Sequence, residues 1–424
     1  MENRILRGRL ILLISFLTLL QSSLVLAFFD FSSWFSSGSV AEQHVPVTKA
    51  VRADFFEELI GVSEPEYVKN QERLLRKIVR DGRVHNIKTK TSLPAGVFKP
   101  CSIAQLDALV EEKPSRGRGT FNVVVGYNTK HLPLEKRAQL DIGALQADAE
   151  NKDALFQLAS NFDCRENASS VGDGHHWISE YIYDMTQGPF AAISAAPGLF
   201  YRCYCARPIN LLKNFPYLPL RKGYLVLDAA DSKVLKQADD LDYEQVMVGV
   251  HRDVGVMYGQ LLNANEHLTC GDKEQTISQV YVSSLDLGLA SGNALGKKLG
   301  NDKVRERVEA LAKKLLLAAY QGTIKAAIAF DKQKVFLTLV GCGVFNNRLA
   351  WVQEAIESCV DDIMKFGLDV TLVVYDANTP NTLKEMPAFL GHMKKIVDNT
   401  HGEYRELFDA FGYMQSPDRR GRLC

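Results

Sequence analysis

The residues best suited to chemistry cluster in the stretch 335–347, VFLTLVGCGVFNN, and just beyond several other apolar runs. Residues 335–340 are apolar and rich in β-branched and aromatic types, the composition of a strand buried on both faces, and the run stops at Gly341. Gly341 and Gly343 remove side chains where a ligand can come close, and a helical pattern begins near Leu349 and Trp351. Strand, glycine loop and helix start together suit a phosphate, although loops of this kind also merely turn the chain. In an open α/β sheet ligands collect beyond the carboxyl ends of strands. The residues expected there are Asn161 and Asp163, His251 and Asp253, Asp286, the loop 341–347 and Asp376. An amide, several carboxylates and a glycine loop fit a ligand with both hydroxyls and a diphosphate.

The elements that must position these groups read as follows. Helical spacing is clearest at 66–79, Ser102 is placed to cap a short helix through Leu109, and the Pro, Gly and charge content of 111–119 marks a linker. Strands are expected at 120–126, 154–160, 223–227, 245–251, 279–284 and 368–375, and helices at 178–183 and between 383 and 397. A long amphipathic helix over 303–328 leads into the strand before the glycine loop. Small residues at 191–196 allow close packing or close ligand approach. The domain plan is a leader at 1–27, a flexible lead-in at 28–51, a helical N-terminal region at 52–118, an α/β domain at 119–401 and a C-terminal tail at 402–424, whose end SPDRRGRLC reads as mobile.

Arg4, Arg7 and Arg9 precede the apolar run 10–20, and Val25 and Ala27 are small residues before a cut at Phe28, so a cleaved secretory signal and a secreted chain without a stable membrane span are expected. The weaker alternative is an uncleaved anchor. Eight cysteines, at 101, 164, 203, 205, 270, 342, 359 and 424, are compatible with disulfides in that setting, with Cys203 and Cys205 read as sharing one face of a strand. Asn167, Ala168 and Ser169 form a glycosylation acceptor pattern or a chance tripeptide. With 50 basic and 50 acidic residues in 424, nothing points to duplex nucleic acid. His175 and His176 are adjacent without a partner at metal-binding spacing, no GxSxG elbow occurs, and Cys342 has no histidine near it in sequence; neither metal, cofactor nor nucleophilic hydrolase chemistry is expected.

LVGCGVFNN, followed by a helix, resembles the diphosphate-binding loop of the macrodomain superfamily, in particular that of microbial poly(ADP-ribose) glycohydrolase relatives, and ASNFD at 159–163 resembles its strand ending in an asparagine that holds the distal ribose. TQGP at 186–189, VGVH at 248–251 and GDKEQTISQVY at 271–281 are similar to a divergent group that includes bacterial effectors acting on ADP-ribosylated ubiquitin. The resemblance covers about 120–401 and implies a three-layer α/β/α macrodomain-like fold with a mixed central sheet, here with a helical N-terminal extension. It implies ADP-ribose or an ADP-ribosylated protein as ligand, met by Asn161, Asp163, Gln187, Gly188, His251 and the loop residues Gly341, Cys342, Gly343, Val344, Phe345 and Asn346. The tandem-glycine loop with paired glutamates of true poly(ADP-ribose) glycohydrolases is absent. Its nearest counterpart, VGDGHHWISE at 171–180, carries only Asp173 and Glu180, so cleavage of polymer is not implied.

Each part has a physical role. Amides of Gly343 to Asn346 would donate to a diphosphate, aided by the following helix start; Phe345 would stack on or wall off the distal ribose, and Asn161 offers a donor and an acceptor to its hydroxyls. Hydrolysis at the anomeric carbon needs a carboxylate to activate water or protonate the leaving group. Asp253 and Asp272 are the candidates, each of which has a bland alternative as a helix cap or a turn former. The competing functions are a non-catalytic ADP-ribose or nucleotide-binding module, a Rossmann-type NAD enzyme with a degenerate fingerprint, and a secreted interaction protein with an empty pocket.

Overall fold

The computed structural model describes residues 47–166, 177–184, 186–225, 227, 232–288, 302–378 and 382–408. The leader, most of the lead-in, Asn167 to Ser169, Asp173, His175, His176 and the SPDRRGRLC tail with Cys424 lie outside these residues.

Eight strands form the central sheet: β1 (Val97–Ser102), β2 (Thr120–Gly126), β3 (Leu155–Ala159), β4 (Met247–Gly255), β5 (Thr276–Val282), β6 (Lys334–Leu337), β7 (Asp369–Val374) and β8 (Tyr404–Leu407). Their spatial order is β8-β2-β7-β6-β3-β5-β4-β1. The six strands from β8 to β5 run parallel, whereas β4 is antiparallel to both β5 and β1. The sheet is therefore mixed, and the order is not that of a doubly wound dinucleotide fold. The inner strands are apolar almost throughout and buried, as expected where helices cover both faces.

The helices that matter are α1 (Ile103–Glu111), α2 (Gln187–Ser194), α3 (Ala196–Tyr204), α4 (Asp302–Ala329), α5 (Leu349–Glu357) and α6 (Met386–Thr400). On one face α4 packs against α1 and α5, and α6 lies on β2; on the other α2 packs against β3 and α3 against β4. Ser102 caps α1 through a complete capping box with Gln105. The long helix α4 buries Leu311, Leu315, Leu316 and Ile324, the face its sequence period marks.

Several boundaries differ from the sequence reading. The region 52–118 is not a separate helical piece: β1 is the edge strand of the main sheet, paired along its whole length with β4. Pro100 within it disguises the strand, yet an edge position tolerates proline. The pattern at 66–79 is two helices, Glu64–Lys69 and Gln71–Ile78. The end of the lead-in is ordered, since Lys49–Val51 pairs with Glu266–Thr269, and the tail region begins with β8 on β2. Residues 178–183 form a 3-10 helix, and 223–227 contributes only Tyr224–Leu225, a two-residue strand paired with Leu220–Arg221. No disulfide joins the described cysteines: Cys101, Cys164, Cys203, Cys205, Cys270, Cys342 and Cys359 are free thiols. Most are buried as small apolar residues, and Cys203 belongs to a helix, α3, rather than a strand. Among the described residues no helix is long and apolar enough to cross a membrane.

The strand before the glycine loop stops at Leu337, earlier than its apolar run, because side chains take over its backbone groups. Thr338 N donates to Gln157 Oε1 at 3.2 Å, the Tyr320 hydroxyl donates to Thr338 O at 2.7 Å, and Val340 N donates to that hydroxyl at 3.1 Å. Gln157 also reaches back to α4, donating to Thr323 Oγ1 at 3.0 Å. Tyr320→Phe would remove both hydroxyl bonds, leaving Thr338 O and Val340 N only their mutual contact at 3.0 Å. A loss of about 1–3 kcal/mol is expected in urea unfolding, with a lower midpoint and an unchanged m-value.

Candidate functional site

The parallel strands give the sheet two unlike rims. Beyond the carboxyl ends of β2, β3, β6 and β7 lies a cavity of about 480 Å³, bounded by Thr129, Gln187, Phe190, Leu339, Gly343 and Asp376. Phe336 lines the cavity and is stacked on Phe156 behind it, ring centres 4.7 Å apart. The walls are largely apolar with a few convergent polar groups, the character of a small-molecule site. Gln187 is itself occupied: its Oε1 accepts Ala159 N at 3.2 Å and its Nε2 donates to Gln157 O at 3.0 Å, extending the edge of β3.

The glycine loop forms one side of this cavity, and its glycines differ in role. Gly341 has φ +73°, and a Cβ there would lie 2.2 Å from Ser284 Oγ, so this glycine serves the turn and its packing. A Cβ on Gly343 would meet nothing within 4 Å, which leaves its surface open to a ligand. Asn347 staples the loop, donating to Leu285 O at 2.8 Å, and Leu287 N donates to Phe345 O at 2.9 Å. Asn346 N is taken by Gly343 O at 3.2 Å. The amides of Val344 and Phe345 donate to none of the described residues. The expected help from the helix start is corrected by Glu385, whose Oε2 accepts Leu349 N at 2.9 Å and already places negative charge on the start of α5. Burial pushes the Cys342 thiol up to about 12, which disfavours the thiolate.

Beside the loop, the ring of Phe345 meets that of Tyr224 at 5.7 Å. The Tyr224 hydroxyl is pushed up to about 12, first by burial and then by the charges of Glu166, Asp184 and Asp286, against a relieving contact from the Asn161 amide. These five residues therefore share one polar locus. Asn161 is buried, and its Nδ2 has no acceptor at hydrogen-bonding geometry. Glu166, five residues on, donates its backbone N–H to the Tyr181 hydroxyl at 2.7 Å. Its Oε1 is shielded and unpartnered. Its carboxyl is held well above the usual carboxylate range, mainly by burial and then by the charge of Asp184, with Arg202 opposing. Burial also raises Asp286, whose Oδ1 accepts Gly288 N at 2.9 Å. Gly188 belongs to the same corner, since a Cβ there would lie 2.2 Å from Ala159 O and 2.6 Å from Glu166 Oε1.

Other expected site residues lie elsewhere or are engaged. Because β4 runs antiparallel, its end carries Asp253 to the opposite rim. There a bulge gives Asp253 φ +57°, and Lys332 Nζ pairs with its Oδ1 at 2.9 Å. Asp272 also lies at that rim, in the turn before β5, where its Oδ1 accepts Glu274 N at 2.8 Å. Neither aspartate belongs to the cavity, and the catalytic expectation for both is withdrawn. His251 is a core residue: its ring nitrogen contacts Ala95 O at 2.9 Å, and burial, aided by Arg202, brings it down to about 3. Asp163 is held by Arg165, whose Nε lies 2.7 Å from its Oδ2, so it anchors the loop instead of facing a ribose. Glu180 is exposed. No sequence signal singles out Glu166, just beyond ASNFD, or Asp184, just before TQGP; only the fold brings both near Tyr224. No group of three His, Cys, Asp or Glu residues among those described is arranged to hold a metal ion.

No family model matches this chain, and no curated protein matches it. Solved structures do. Poly(ADP-ribose) glycohydrolase from Deinococcus radiodurans in complex with ADP-ribose is 14% identical, with a TM-score of 0.37 over 71% of this chain and 95% of that one. The enzyme of that name from Thermomonospora curvata is 14% identical, with a TM-score of 0.35 over 80% of this chain and 98% of that one. Likeness at this level transfers no role to any residue.

The two glycines separate packing from ligand space. Gly341→Ala is expected to lose about 1–3 kcal/mol of stability through backbone strain. Gly343→Ala should leave the thermal midpoint unchanged while weakening ADP-ribose binding by about tenfold in calorimetry, because its methyl projects into the open space of the cavity rim.

Proposed function

We propose that this chain binds ADP-ribose and hydrolyses the bond between ADP-ribose and a modified protein or small acceptor. One observation carries the reading: the buried Asn161 amide and the Glu166 carboxyl, which burial holds above the usual carboxylate range, stand five residues apart beyond the end of the strand that borders the glycine-loop cavity. The cavity takes the nucleoside, the Val344 and Phe345 amides meet the diphosphate, and Asn161 with Tyr224 and Phe345 receives the distal ribose. Export of the chain through the leader at 1–27 is part of the same proposal.

Cleavage at the anomeric carbon develops positive charge on the ribose and negative charge on the leaving oxygen. Glu166 is the general acid, giving its proton to that oxygen as the glycosidic bond breaks. Asp184 is the base, taking a proton from the water whose oxygen bonds to the anomeric carbon. A Glu166 carboxyl raised by burial suits the donor of that proton. Asp286 completes the wall around the ribose.

Calorimetry with ADP-ribose, NAD and AMP tests the binding step, with preference for ADP-ribose expected; preference for NAD, or no binding, contradicts it. Incubation with a mono-ADP-ribosylated protein tests the chemistry. Glu166→Gln is expected to lower release by about 100-fold or more while binding changes by less than about threefold. The same variant has a stability signature. A carboxyl raised in the folded state favours folding less as pH climbs from its unfolded value toward the folded one, so wild type loses stability over that window and the Gln variant does not. An equal fall in binding and turnover would make Glu166 a ligand-positioning or folding residue.

A further inference from the structure

The N-terminal region packs against the site through segments that the proposed chemistry has not used. We propose that Arg52 and Glu64 are positioning residues, which fix the 3-10 helix Ile178–Tyr183 and so hold Asp184 and Glu166 in register. This inference rests on the acid and base roles given to those two carboxyls.

The geometry is a clamp on both ends of one short segment. Glu64 is buried, and its two carboxylate oxygens accept successive backbone N–H groups, Ile178 N at 2.8 Å and Ser179 N at 2.7 Å. The Tyr204 hydroxyl, at the end of α3, donates to the same carboxylate. Trp177, at the start of the 3-10 helix, supplies no side-chain cap, so Glu64 does this from another part of the chain. At the far end Arg52, also buried, donates through Nη2 to Asp184 O at 3.2 Å and to Tyr181 O at 3.4 Å. An anion at the start and a cation at the end match the direction of the helix dipole.

Both contacts lead to the reacting groups. The Tyr181 hydroxyl accepts the Glu166 backbone N–H, so the segment held by Glu64 and Arg52 sets the position of the acid. Asp184 is the residue that closes the helix, and Thr186 N donates to its Oδ1 at 2.8 Å. The Arg52 guanidinium also lies 4.3 Å over the ring of Phe190, which borders the cavity. Behind the clamp, Tyr67 packs between Phe200 and Tyr204 at 5.1 and 4.8 Å, a rigid backing for Glu64 three residues earlier. Burying two ionic side chains is costly if packing is all they provide.

The test uses the full chain and measures kcat and KM on a mono-ADP-ribosylated protein, the Kd for ADP-ribose and the thermal midpoint. Glu64→Gln turns one accepting oxygen into a donor facing an N–H, and Arg52→Lys keeps charge but loses the fork. Each is expected to lower kcat by about 10- to 100-fold with KM and Kd within about threefold, since misplacement of reacting groups by an ångström costs this much. Lys88→Ala, which removes an exposed ion pair with Glu57 in the same region, should change none of these values. If Glu64→Gln does not fold, Tyr204→Phe removes one of the three bonds to that carboxylate, and a kcat lowered by about threefold or more at unchanged KM is expected. An unaltered kcat in folded variants, or a fall matched by the loss of folded protein, overturns the inference alone. Wild type that binds ADP-ribose and releases none overturns the acid–base reading, and this inference with it.

Discussion

Everything in this molecule that bears on a ligand depends on how the backbone after β6 is satisfied. A strand that ends in the middle of a sheet leaves amides and carbonyls away from water, where each unpaired group costs on the order of 1–3 kcal/mol. Here the Tyr320 hydroxyl and the Gln157 amide accept and donate for Thr338 and Val340, and Gln157 is anchored to α4 through Thr323. That node fixes where the glycine loop leaves the sheet. Asn347 then ties the loop to the segment after β5, which sets Phe345 against Tyr224 and brings the loop beside Asn161. The long helix is thus the support of the site as well as the largest element of the core.

A second constraint is the direction of the strands. The run of parallel strands collects their carboxyl ends at one rim, and the cavity lies there. The antiparallel β4 sends Asp253 to the other rim. Its ion pair with Lys332 and the turn built by Asp272 are features of that far side. The three carboxyls grouped around Tyr224, Glu166, Asp184 and Asp286, come from three different segments, and burial is the largest influence on Glu166 and Asp286, both raised.

What could be read from the sequence follows from how local each signal is. The period of 303–328 and the β-branched runs at 120–126 and 368–375 are properties of contiguous residues, and α4, β2 and β7 form close to where they were expected. The capping of α1 by Ser102 was equally local. Strand direction is not local, so from sequence alone every strand end faces the ligand, whereas the antiparallel β4 carries Asp253 to the far rim and leaves His251 in the core. The edge strand β1 was hidden by Pro100, and β6 was read too long because the side chains that end it, Tyr320 and Gln157, come from distant parts of the chain. Glu166 and Asp184 have unremarkable neighbours in sequence. They become visible only when β3, α2 and the 3-10 helix are packed together.

The central claim is a single ligand path from the cavity past Gly343 to Asn161. A crystal structure of the chain soaked with ADP-ribose tests it most directly. The account predicts the base against Phe336, the diphosphate at the Val344 and Phe345 amides, and the distal ribose within hydrogen-bonding distance of Asn161 Nδ2, with Glu166 beside its anomeric carbon. A nucleotide bound at the Asp253 and Asp272 rim, or one bound in the cavity with its ribose turned away from Asn161, would contradict it.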